Sequence, residues 1–224
     1  MPPDLRHVVE GLLLVIAALL PIVNPFGGAP MFLAMTSDVD SALRQELAKK
    51  IAINAFILLV ASLFIGTYVL EIFGLSVPIV QVAGGIVVCA AAWELLRAGS
   101  APPSVPVPAP AAAQIASRAF YPLTLPLTVG PGTISIAITI GAHHPQSVRF
   151  LLLDGTADVL GAAFIAGTVF LCYRYADRML RVVGETGTTV LIRLSAFIML
   201  CVGVQIFWSG AKILLGSLPA SAMR

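Results

Sequence analysis

The stretch LLPIVNPFGGAPMF, residues 19–32, decides the fold. It lies inside an apolar run over 8–35. About 20 apolar residues span the hydrocarbon core of a bilayer as a helix, so this run is long enough to cross. Yet the stretch holds three prolines, an asparagine and a glycine pair. A proline inside a helix removes one backbone N–H and frees the carbonyl four residues back. In lipid such an unpaired group is expensive, and a break at membrane depth persists only beside protein or a water-filled cavity. The stretch therefore predicts a broken first span that faces the interior of a helix bundle.

An echo of it stands further along the chain. YPLTLPLTVGPGTIS, residues 121–135, is another apolar stretch interrupted by proline and glycine. Asn24-Pro25 followed by Gly27-Gly28 corresponds to Gly130-Pro131 followed by Gly132-Thr133. Later segments match as well: Gly84-Gly85-Ile86-Val87-Val88-Cys89 aligns with Ala196-Phe197-Ile198-Met199-Leu200-Cys201, 112 residues on.

The rest of the chain fits this frame. Its 224 residues are 58% hydrophobic and 11% charged, with a mean hydropathy of +0.98. Soluble domains carry about 25% charged residues, so this composition excludes an ordinary soluble globule and implies a lipid bilayer. A net charge of +2, with basic residues scattered between apolar runs, gives no nucleic-acid surface. Apolar runs over 8–35, 51–70, 78–96, 120–140, 150–173 and 194–215 predict six spans. The expected fold is an all-α membrane protein of six transmembrane helices, with spans one and four broken. It forms two three-helix repeats, over 1–99 and 118–224, joined by a Pro/Ala-rich cytoplasmic linker over 100–117. Three spans per half is odd, so the second half must insert upside down. Paired broken segments in an inverted repeat point to a transport site.

Nine basic residues (Arg44, Lys49, Lys50, Arg97, Arg118, Arg174, Arg178, Arg181 and Arg193) lie on one side, against Arg6, Arg149, Lys212 and Arg224 on the other. The positive-inside rule places both termini outside. No cleaved signal peptide is expected, because no A-x-A site follows the first run. Cys89, Cys172 and Cys201 lack CxxC spacing and read as small buried apolar residues. No metal site and no cofactor are expected.

The breaks supply the candidate substrate-binding residues: Asn24, Pro25, Gly27, Gly28, Thr128, Gly130, Pro131, Gly132 and Thr133. Half-helices starting there would present backbone N–H groups and a positive dipole end to a carboxylate. Asn24 is placed to cap the first of them, and the threonines would supply hydroxyls. The plainer reading is that each kink only shapes packing. Asp158, Asp154 and Arg193 are the candidates for proton or ion coupling, because charge at membrane depth is costly. Against that, Asp158 could bond Thr156 or a neighbouring helix, Asp154 could pair with Arg149, and Arg193 could snorkel. Asn54 and Gln205 suit inter-helix hydrogen bonds.

These same residues resemble a known family. PIVNPFGGAPMFLAMT (21–36) and LPLTVGPGTI (125–134) resemble the first- and fourth-span motifs of the MarC family of bacterial inner-membrane proteins, also called UPF0056. QVAGGIVV (81–88) and IRLSAFIMLCVGVQ (192–205) resemble the ends of its two repeats. The resemblance covers nearly the whole chain and implies six spans in the inner membrane. Some members are described as transporters of small neutral amino acids such as glycine and alanine. Two departures stand out. Gln81 occupies a position where members commonly have Arg, although Arg193 keeps it in the second repeat. Ser195-Ala196 follows Arg193 without a glycine.

The leading expectation is a secondary transporter or exporter of a small neutral solute, and not an enzyme. There is no nucleotide-binding loop, no GxSxG elbow with a histidine partner and no HExxH. The alternative is a non-transporting membrane scaffold or a channel. Small-residue faces at Gly84-Gly85 and Gly161-Ala162-Ala163 would let copies pack as a homo-oligomer.

Overall fold

A computed structural model describes residues 3–36, 38–98, 117–143 and 148–216. These form eight helical elements and no strand: α1 (Pro3–Val23), α2 (Pro25–Met35), α3 (Ser41–Ile72), α4 (Val77–Ala98), α5 (Ala119–Thr128), α6 (Pro131–Gly141), α7 (Val148–Arg174) and α8 (Ala176–Gly216). Residues 100–116 of the linker lie outside the described residues.

Among the described residues, five stretches are long and apolar enough to cross a membrane: Asp4–Leu33, Ser41–Ile72, Val77–Glu94, Leu152–Arg174 and Thr186–Gly216. The fourth apolar run is not a continuous helix of that length. It is divided into α5 and the short apolar α6, with Val129 and Gly130 extended between them. The cause is local. Tyr121 (φ −123°, ψ 124°) and Leu125 (φ −107°, ψ 125°) both leave the helical region, and each precedes a proline, which pushes its neighbour toward extended geometry. The Thr124 and Thr128 hydroxyls then bond carbonyls five residues back, Ala119 O at 2.7 Å and Leu123 O at 2.8 Å. The backbone bonds that far back too, Val129 N to Thr124 O at 2.8 Å, which is the spacing of a π-helix.

The first break is tighter. Asn24 sits at φ 45°, a left-handed conformation that asparagine tolerates because its side chain can bond locally. Its Oδ1 accepts from Gly27 N at 3.1 Å, and Pro25 opens α2, where a missing N–H costs least. Pro131 likewise opens α6, but Gly130 before it is extended (φ −85°, ψ 173°) and no side chain caps that helix.

Elements of the two halves interleave. α3 packs on α6 and α7, α1 on α6 and α7, and α4 on α8. The core gathers Val15, Leu19, Phe32, Ile51, Leu59, Leu123, Val129, Ile165, Val169 and Tyr173. A smaller cluster of Ile22, Val88 and Ile206 joins α1 to the α4–α8 pair. Outside, Leu13, Ile57, Ile65, Phe164, Leu171 and Val204 are exposed, as suits a surface facing lipid. Glycines let the inner faces meet. A Cβ on Gly85 would lie 2.5 Å from the Phe207 amide nitrogen, and one on Gly161 would strike Val15. Of the small-residue faces, Gly84, Gly85, Gly161 and Ala162 are buried within the chain, and Ala163 is exposed. Cys201 is exposed rather than buried, and Cys172 is buried.

Candidate functional site

The site is best built from Tyr173, near the end of α7. Its side chain is fully buried and its ring stacks on Phe32 of α2, with centroids 4.6 Å apart and planes 9° apart. Its hydroxyl lies 3.0 Å from Thr128 Oγ1. Because Thr128 gives its own proton to Leu123 O, Tyr173 is the donor. The same hydroxyl lies 2.7 Å from where a Cβ on Gly28 would stand, so a larger residue there would force one of the two to shift. One residue from just after the first break and one from just before the second therefore meet at a single hydroxyl. Each of the three groups is held by a different helix.

The remaining break residues divide. Gly27 packs on the Asn24 side chain. Thr133 and Gly132 are buried in the first turn of α6, and a Cβ on Gly132 would collide with Val88 of α4. Gly84 of α4 packs on Ser135 of α6, whose hydroxyl donates to Val80 O at 2.9 Å. No side chain caps α6, so its opening amides are left for another acceptor. Pro25 is buried, while Pro131 is exposed. Gln81 is buried and donates to Thr139 Oγ1 at 3.3 Å, joining α4 to α6. Asn54 donates to Thr124 Oγ1 at 3.4 Å, an inter-helix bond between α3 and α5. Gln205 is exposed and makes no such side-chain bond among the described residues.

The coupling candidates stand apart from the breaks. Asp158 is buried on α7, between the contacts of Ala157 with Gly11 and of Gly161 with Val15. It is fifteen residues from Tyr173, roughly 22 Å along the helix at 1.5 Å per residue. The Thr156 hydroxyl donates to Leu153 O at 2.7 Å. Asp154 pairs with His7 Nε2 at 2.7 Å, which ties α7 to α1, and the Arg149 side chain is outside the described residues. Arg193 is exposed and forms no ion pair among the described residues.

A second polar cluster was not anticipated, because its arginines read as loop charges. Arg118 is buried and binds both carboxylate oxygens of Asp38 at 2.8 Å, together with Met35 O. Arg44 binds Thr36 O at 2.9 Å, Val39 O at 3.1 Å and Asp177 at 2.9 Å. Arg118 thus binds the last carbonyl of α2 and Arg44 binds carbonyls just beyond it, where the helix dipole is negative. They fasten that end to the starts of α5 and α8. Asp38 is held below the ordinary carboxyl range, first by the hydrogen bond from Arg118, with burial opposing.

Comparison with known proteins follows the same outline. The family described as "MarC family integral membrane protein" matches residues 9–215. A "UPF0056 membrane protein" of Archaeoglobus fulgidus is 29% identical over 189 residues, covering 84% of this chain and 86% of that one. The "UPF0056 inner membrane protein MarC" of Salmonella paratyphi A is 28% identical over 205 residues, covering 87% and 91%. Its namesake in Escherichia coli is 29% identical over 207 residues, with the same coverage. No solved structure matches.

Proposed function

The chain belongs to the MarC family of integral membrane proteins, and from that premise we propose that it is a secondary transporter of a small neutral solute, not an enzyme. The solute class is a glycine- or alanine-type amino acid, bound between the two broken helices. In this reading the chain is two inverted three-helix units of six spans. It lies in the inner membrane, as the names of its relatives say of them, with both termini outside.

One observation carries the reading. Gly28 and Thr128, one from each broken segment, converge on the Tyr173 hydroxyl. The hydroxyl bonds Thr128 of the second broken segment and lies against the backbone of Gly28 in the first, so both breaks border one buried polar group. The uncapped start of α6 suits a carboxylate, and the glycines admit a small solute close to the backbone. Asp158 is the acid through which a proton gradient would act, working at a distance from the solute. Alternating access would move one unit against the other around this point.

The test is uptake and counterflow of radiolabelled glycine and alanine in proteoliposomes, with and without a pH gradient. Saturable exchange supports a carrier. Flux without exchange supports a channel instead, and no flux of any small neutral solute supports a scaffold.

A further inference from the structure

The junction of α7 and α8 carries chemistry that the transport reading does not use. Arg174, Arg178 and Arg181 recur at spacings of four and three, so they fall on one face where the helical path runs on through Tyr175. Met179 N bonds Tyr175 O at 2.9 Å, and Tyr175 N bonds Leu171 O at 3.0 Å across that corner. All three arginines are exposed. None has a carboxylate within 4.0 Å among the described residues. Tyr175 lies beneath two of them, with the Arg174 and Arg178 guanidinium carbons each 5.8 Å from its ring centroid.

Apolar surface adjoins this basic stripe. Val182 is 87% exposed and Val183 is exposed beside it. The backbone then breaks at Gly184 (φ 72°, ψ 175°), ahead of the membrane-crossing stretch Thr186–Gly216. The segment over 176–183 is therefore directed separately from that stretch. Adjoining it is an open cavity of about 590 Å³ lined by Leu33, Asp177, Leu180, Arg181 and Gly184. The Asp177 carboxylate in that lining is neutralised by Arg44 at 2.9 Å, which leaves Arg181 as its uncompensated charge.

We propose that this junction is a binding site for an anionic phospholipid. The phosphate sits on Arg174, Arg178 and Arg181, and the apolar part lies against Leu33, Leu180, Val182 and Val183. Basic residues at a membrane surface attract anionic headgroups, and a short helix with a basic face and exposed apolar residues rests in the interface plane. The exposed valines are what select a lipid over a soluble phosphate, which would have no use for them.

The experiment uses the full chain in neutral detergent, titrated separately with phosphatidylglycerol, phosphatidylcholine and inorganic phosphate. Bound lipid is counted by native mass spectrometry, and melting is followed in parallel. Each arginine should contribute roughly fivefold in affinity. The variant Arg174→Gln/Arg178→Gln/Arg181→Gln should therefore bind phosphatidylglycerol roughly a hundredfold more weakly. The single variant Arg181→Gln should lose roughly fivefold, and it reads the same contact if the triple variant does not fold. Arg97→Gln, an exposed arginine on α4, should change nothing. Three results would each overturn the assignment: equal binding of phosphatidylcholine and phosphatidylglycerol, inorganic phosphate matching the lipid, or arginine variants that bind phosphatidylglycerol as tightly as the parent.

Discussion

Gly28 and Tyr173 should be energetically coupled, and the size of that coupling follows from the geometry. In Gly28→Ala the new methyl stands 2.7 Å from the Tyr173 hydroxyl. Overpacking of this kind costs about 1–3 kcal/mol, offset by about 1 kcal/mol of helix preference for Ala over Gly. The single variant should be destabilised by about 1 kcal/mol. Tyr173→Phe keeps the stack on Phe32 but loses the bond donated to Thr128. Thr128 still bonds Leu123 O, so the loss is about 1 kcal/mol, that of one ordinary hydrogen bond. In the double variant the obstructing oxygen is gone. The next ring atoms stand at 3.4 and 3.5 Å from the new methyl, which is ordinary contact, and the helix preference of Ala remains. The double variant should then be about as stable as the parent, giving a coupling of about 2 kcal/mol. The assay is a double-mutant cycle by unfolding in mixed micelles, followed by fluorescence of Trp93 and Trp208. Losses that add within about 0.5 kcal/mol, as independent sites do, would refute the contact.

Further outcomes follow from other contacts. Gly85→Ala meets backbone atoms of Phe207 and Gly203, which yield poorly. It should lower stability by about 2 kcal/mol, while Gly167→Ala, with nothing within 4 Å, should raise it by about 0.5–1 kcal/mol. Melting of both variants checks this. Arg118→Gln removes a charged two-bond contact to Asp38 and should cost about 2–3 kcal/mol in the same assay. The Asp38 carboxyl titrates below its ordinary 3.8 in the folded chain. Its contribution is therefore complete above that value and is lost as the pH falls through the lower, folded one. Melting temperature followed downward from pH 5 should drop below about pH 4, and less steeply in Arg118→Gln, where the main cause of the shift is gone.

What could be read beforehand was whatever the backbone dictates locally. Proline lacks an N–H wherever it stands, so Pro25 and Pro131 announce their breaks, and the extended Tyr121 and Leu125 follow from the prolines after them. Asn24 as a local cap rests on the same short-range chemistry. Tyr173 was hidden because its bond to Thr128 spans 45 residues, and its position at the end of an apolar run looked like any interfacial aromatic. Its place on the stripe Asp158, Ala162, Ile165, Val169 and Tyr173, spaced by three and four, was the one available signal. Arg118 reaches 80 residues back to Asp38, and a loop arginine gives no sign of being buried. For the coupling acids, depth can be counted from a sequence, but the distance from Asp158 to the breaks depends on how α1 and α7 cross.

The most direct test of the account is counterflow of labelled glycine and alanine through proteoliposomes holding the parent chain or Gly130→Leu. Gly130 sits at φ −85°, ψ 173°, a backbone open to any residue, so the variant should fold, and its melting temperature verifies that. The account predicts saturable exchange by the parent and its loss in Gly130→Leu at unchanged melting. Exchange that persists in a folded Gly130→Leu would contradict it, and would remove the paired breaks from the path of the solute.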